Sequence, residues 1–195
     1  RTEALKLNYT KYFTIFDDDD SMSLLKEVMK ELDINTKQFP APMVMGVISG
    51  LKSELIGQEE YEGKNSSEPF PKTIYKIYSL YENRLKESNA FDFDDLIFKT
   101  VELFKKHPQI LEKYQERFRY IHIDEYQDTN TAQYELTRLL AKKYNNIFVI
   151  GDDAQSIYSW RNADFRNILN FEKDWPQAKI IVLDENYRST KTILD

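Results

Sequence analysis

A chain of 195 residues with 41% hydrophobic and 14% aromatic content can bury a sizeable core, which excludes a disordered segment and allows one large domain or two small ones. A formal charge of −6 and a pI near 5.1 exclude a general polyanion binder, because nonspecific nucleic-acid affinity needs an excess of Lys and Arg; any such contact must be local. The absence of cysteine excludes disulfides and thiolate metal sites, and no apolar run is long enough to span a bilayer.

With no signal-peptide pattern at its start, the chain is expected in the cytoplasm, without a membrane partner. Both ends read as cut. Arg1 stands where an initiator Met would, and "STKTILD" is beginning a helix, with Ser189 as N-cap, when the chain stops at Asp195.

Residues 1 to about 90 read as helical. After "DDDD", Asp17 to Asp20, Leu24, Leu25, Val28, Met29 and Leu32 recur at helical spacing. The four aspartates fit a helix N-terminus, where the backbone dipole favours negative charge; a metal site is the sharper alternative. "APMVMGVISGLKSELI" gives a second helix after Pro40 and Pro42, and "GQEEYEGKNSSEPFPK" is a connection. Ile74, Ile77, Tyr78, Tyr81 and Leu85 then mark a third helix, their tyrosines read as core rather than as a stacking platform. "FDFDDLIFKTVELFKKH" is a further helix ending before Pro108. The basic residues from Lys99 to Arg119 are read as a solvated face, with duplex contact as the alternative.

From Arg119 the texture changes. "YIHID", "NIFVIGD" and "KIIVLDEN" are short Ile- and Val-rich runs, and "TAQYELTRLLAKKY" and "FRNILNFEKDW" between them have helical period. The alternation predicts an α/β fold with a parallel sheet flanked by helices. Each strand ends in acidic or polar residues, and in open α/β sheets ligands bind at the carboxyl ends of strands.

Asp124 and Glu125 close the first of these runs. Strand alternation sends neighbouring side chains in different directions, so one carboxylate can hold a hydrated Mg²⁺ while the other orients and deprotonates a water. Capping of the next helix, or ion pairing, is the plainer alternative. His107 and His122 offer no metal site, since one precedes a proline in a connection and the other lies within a strand.

"IHIDEYQDTN", "VIGDDAQSIYSWRNAD" and "LDENYRST", in this order and at comparable spacing, resemble motifs II (the Walker B segment), III and IV of the UvrD/PcrA/Rep branch of superfamily 1 DNA helicases. "FDFDDLIF", Phe91 to Phe98, resembles a family segment upstream of motif II. The resemblance covers about Phe91 to Asp195, and residues 1–90 look like the helical insertion the family carries in its first motor domain. It implies a partial RecA-like domain. It also implies Asp124 as Mg²⁺ ligand, Glu125 as the base that activates water for ATP cleavage, and Gln155 as the sensor of the γ-phosphate. Tyr158, Trp160 and Arg161 would contact single-stranded DNA, the aromatics by stacking on bases. Tyr187 would stack on adenine and Arg188 would reach the γ-phosphate; a simple Arg188 pair with Asp184 or Glu185 is the alternative. ATP, Mg²⁺, single-stranded DNA with its junctions to duplex, and the remaining helicase domains are thus the implied cofactors and partners, with 3′-to-5′ polarity.

The pattern departs from the family at Ala154, at Asn162 and at Asp184-Glu185, positions that flank the assigned residues. No P-loop is found: "GQEEYEGKN", Gly57 to Asn65, has one residue too many between its glycines, Asn in place of Ser or Thr, and no strand before it. The 195 residues are therefore expected to be catalytically silent alone. The rival readings are a DNA-binding or adaptor module with a degenerate motor fold, and part of a helicase-nuclease subunit.

Overall fold

Helix α1 (Asp18–Glu31) begins where the aspartate run lets it begin. In the computed structural model, which describes residues 1–152, 155 and 166–194, the Asp17 carboxylate accepts the Asp20 N–H at 2.9 Å and Asp20 accepts the Asp17 N–H at 3.4 Å. This reciprocal cap satisfies N–H groups that the first turn leaves open, so the run is a helix start rather than a metal site. Helices α2 (Ala41–Ser53) and α3 (Pro69–Glu87) each carry proline in the first turn, where the missing N–H costs nothing. The three helices bury Leu25, Val28 and Met29 against Val44, Ile48, Ile74, Ile77, Tyr78, Tyr81 and Leu85 in one cluster. Each large apolar side chain buried there contributes roughly 1.5–3 kcal/mol.

The helical stretch is fastened at its base by a two-residue parallel ladder that the sequence pattern did not predict. Strand β1 (Thr14–Ile15) pairs with β2 (Ala90–Phe91), and Phe91 packs against Tyr9 and Phe13 with ring centroids 4.2 and 4.5 Å apart. Helix α4 (Phe93–Lys106) follows at once, capped by Asp92, which accepts the Asp95 N–H at 2.9 Å. The proline that stops α4 also opens α5 (Pro108–Arg117). With α6 (Thr131–Ala141) these helices form a second cluster around Val101, Leu103, Phe104, Ile110 and Leu139.

A buried ionic knot joins the two clusters. Lys52 of α2, fully buried, places Nζ 2.7 Å from Glu82, 2.7 Å from Asp92 and 3.0 Å from Asp95. Tyr81 donates to Asp92 at 3.1 Å. Burial opposes the charge on Lys52, but Asp95, Glu82 and Asp92 outweigh it and hold the ammonium well above the ordinary lysine value. Burial also pushes the Asp95 carboxyl up to about 7, against the pull of Lys52 and with the help of Glu82 and Asp92. The three carboxylates lie close enough to share a metal ion, yet the Lys52 ammonium already sits among them.

Strands β3 (Ile121–Ile123) and β4 (Ile147–Val149) pair in parallel, Ile121 opposite Ile147 and Ile123 opposite Val149, with α6 as the crossover. This is the βαβ unit and the α/β class that the alternation predicted. The third expected strand is not formed: residues 179–187 are unpaired, and Ile181, Val182 and Leu183 are 70%, 76% and 86% exposed. A strand needs a neighbour to satisfy its backbone, and among the described residues this run has none. The expected helix after residue 165 is broken into α7 (Arg166–Leu169) and α8 (Phe171–Asp174); α9 (Lys191–Leu194) is one turn. No helix among the described residues is long and apolar enough to cross a membrane.

Candidate functional site

The carboxyl ends of β3 and β4 lie side by side, and the backbone binds them together. Ile150 donates to Ile123 at 2.9 Å, and Tyr126, just past the end of β3, donates back to Ile150 at 2.9 Å. Between these bonds stand Asp124 and Glu125, both exposed. The strand ends one residue before them, so a turn rather than the pleat sets their directions. Glu125 has φ 51° and ψ 44°, the left-handed region that costs a side-chain-bearing residue of order 1–3 kcal/mol and is held only where surroundings over-determine it. Here the Asp124 carboxylate accepts the Glu125 N–H at 3.0 Å, and Gln127 donates from Nε2 to Glu125 Oε2 at 2.7 Å.

Gln127 is 1% exposed and uses both ends of its amide. Its Oε1 accepts the Asp152 N–H at 3.0 Å, across the gap to the loop that follows β4. Asp152 in turn accepts from Gln155, side chain to side chain at 2.7 Å and backbone to backbone at 3.0 Å. A hydrogen-bonded path therefore runs from Glu125 through Gln127 and Asp152 to Gln155. Gly151 makes room for it: a Cβ there would lie 2.6 Å from Gln127 Oε1 and 2.7 Å from Ile168 Cδ1.

The loop after β3 is anchored from below. Buried Tyr126 meets Phe171 edge to face at 5.7 Å, Thr129 donates to the Tyr126 carbonyl at 2.8 Å, and Asn167 donates to the Thr129 carbonyl at 3.0 Å. Asn130 and Gln133 then cap α6 reciprocally, and Thr131 donates to Glu54 at 2.8 Å, tying the loop to the end of α2. These contacts hold the base of the loop beneath the two exposed carboxylates.

The UvrD/REP helicase N-terminal domain family model matches residues 1–176, most of the chain. The chain belongs to the UvrD/REP helicase family. It is 48% identical over all 195 residues to the ATP-dependent DNA helicase PcrA of Staphylococcus aureus (strain Mu50 / ATCC 700699). It is 47% identical over the same length to the PcrA of Staphylococcus epidermidis (strain ATCC 12228 / FDA PCI 1200). The chain spans 27% of the length of each of these relatives. The match to the helicase family takes in the helical residues and the first two motif segments, and ends before the one that holds Tyr187 and Arg188.

Of the residues the helicase motifs singled out, Asp124, Glu125 and Gln155 are brought to one edge of the β3–β4 sheet. Tyr187 and Arg188 are exposed and make no hydrogen bond or ion pair with them among the described residues. Arg188 pairs with neither Asp184 nor Glu185; Glu185 instead accepts from the Tyr187 hydroxyl at 2.6 Å. Tyr158, Trp160 and Arg161 lie outside the described residues. The residue missed by sequence reasoning is Gln127, whose one available signal was its place in "DEYQD" between two carboxylates. Among the basic residues from Lys99 to Arg119, Lys99, Lys105, Lys106, Lys113 and Arg119 each have a carboxylate partner within 4 Å, while Arg117 lies over the Phe118 ring.

Proposed function

We propose that this chain is part of the first, RecA-like motor domain of a cytoplasmic ATP-dependent DNA helicase, residues 91–195 supplying the back of that domain and residues 1–90 a helical insertion. The observation that carries the proposal is the pairing, at the carboxyl edge of two parallel strands, of an exposed Asp-Glu with the turn that bears Gln155. In this reading Asp124 is the Mg²⁺ ligand. Its donor set fits: the residue is exposed, only Oδ1 is committed to the Glu125 N–H, and Mg²⁺ takes one or two carboxylates while keeping waters and phosphate oxygens. The ion, when bound, neutralises charge on the nucleotide phosphates.

Glu125, aimed by Gln127, orients the attacking water and accepts its proton. Gln155 hydrogen-bonds the γ-phosphate, Arg188 neutralises its charge, and the exposed Tyr187 ring stacks on adenine. Tyr158, Trp160 and Arg161 hold single-stranded DNA, so that hydrolysis drives 3′-to-5′ movement along one strand and into a duplex junction. These residues contain no P-loop pattern, so the 195-residue chain by itself is expected to turn over no ATP.

The test is single-strand-DNA-stimulated ATP hydrolysis by the full-length protein that contains this chain. Glu125→Gln is expected to lower turnover by about 10²–10⁴-fold while nucleotide binding persists. A full-length protein without DNA-dependent turnover, or one indifferent to Glu125→Gln, would hand the site to a non-enzymatic DNA-binding or adaptor role.

A further inference from the structure

We infer that Gln127 is a positioning residue that couples the aim of Glu125 to the position of the turn carrying Gln155. The inference rests on the functional reading above and deepens it. Its first support is chemical. The Asp152 N–H can only donate, so the end of the Gln127 side chain facing it must be the carbonyl oxygen, which leaves the NH₂ group facing Glu125. The orientation of the amide is thus fixed by its partners at 3.0 and 2.7 Å, and a flip would break both bonds.

The second support is mechanical. The Gln127 side chain is 1% exposed, and Gly151 lets the backbone after β4 approach more closely than a Cβ would allow without a shift of Gln127 or Ile168. Tyr126 is bonded to Ile150, which holds the base of the loop. A shift of Asp152, to which Gln155 is tied by two bonds, moves the oxygen end of the amide and swings its nitrogen end relative to the Glu125 carboxylate. Glu125 sits in a strained left-handed turn and depends on that donor for its aim. A displacement of the γ-phosphate sensor therefore becomes a displacement of the base.

The test uses the full-length protein, with ATP hydrolysis measured in single-turnover and steady-state modes, with and without single-stranded DNA. Gln127→Met removes both hydrogen bonds at similar volume. Gln127→Glu keeps an acceptor for the Asp152 N–H and sets a like charge against Glu125. Both are expected to lower kcat by about tenfold to a hundredfold with KM for ATP changed by less than about threefold, because a mis-aimed base slows chemistry rather than binding. Added to Glu125→Gln, Gln127→Met is expected to cost nothing further, the mark of two residues acting as one unit.

A folded Gln127→Met or Gln127→Glu protein with kcat near wild type would overturn the inference. So would full additivity of Gln127→Met with Glu125→Gln, which would place Gln127 outside the path to the base. If Gln127→Met does not fold, the near-isosteric Gln127→Glu decides. A wild-type protein lacking DNA-stimulated hydrolysis would instead fail the functional reading itself, a result distinct from an active wild type with a silent Gln127→Met.

Discussion

Burying an ammonium group costs several kcal/mol unless carboxylates surround it, and around Lys52 three do. Removing the cation while leaving the carboxylates strands buried negative charge, so Lys52→Met is expected to destabilise the chain by about 3–5 kcal/mol, read as a shift of the urea unfolding midpoint. The same knot sets a pH dependence. The folded chain holds the Asp95 proton more tightly than the unfolded chain, whose carboxyl titrates near 3.8; the stabilisation is complete below that value and is lost as pH rises through about 7. Wild type and Asp95→Asn should therefore unfold at similar urea concentrations at or below pH 3.8, with wild type falling progressively further behind as pH rises to about 7 and above. A gap that stays constant across that range would show that Asp95 keeps no proton in the folded chain. At this scale the motifs singled out Asp124, Glu125 and Gln155, which the structure brings to one sheet edge, while Lys52 and Gln127 stayed hidden. Their partners, Asp92 and Asp152, come from remote segments that local pattern cannot pair with them.

The helices were the legible elements, since period, proline and cap all act over a few residues. The cap of α6 went unread although its signal is local: Asn130 precedes the apolar period, and Gln133 three positions on completes the reciprocal cap. Asn130→Ala is expected to cost about 1 kcal/mol, measured as a lower urea midpoint at unchanged slope; an unchanged midpoint would show that water satisfies the α6 N-terminus equally well. Strands were less legible. β1 and β2 are two residues each, too short for any period, and residues 180–183 have all the β propensity of a core strand without a partner among the described residues. Propensity describes a residue, whereas a ladder is a property of two segments.

The α/β class followed from alternation alone, but the way the chain's first residues are held did not. Tyr9 and Phe13 lie on Phe91, Arg1 donates to the Phe13 carbonyl at 2.7 Å, and the Thr10 N–H donates to Asn89 at 2.8 Å across a separation of 79 positions. Closing so long a loop is entropically unfavourable unless what lies between has already become compact. Pulse-labelled hydrogen exchange during refolding should find α3 amides protected before those of Thr14 and Phe16, which donate to Asn89 and Phe91; simultaneous protection would mean that the ladder is part of the nucleus. During synthesis this order becomes a matter of waiting. Tyr9 and Phe13 leave the ribosome long before Phe91, and until it emerges their rings lack that partner. The two-residue β1–β2 ladder is therefore a clasp that can shut only after the helices it fastens have been translated, and a nascent chain stalled short of residue 91 would leave Tyr9 and Phe13 without the ring they pack on.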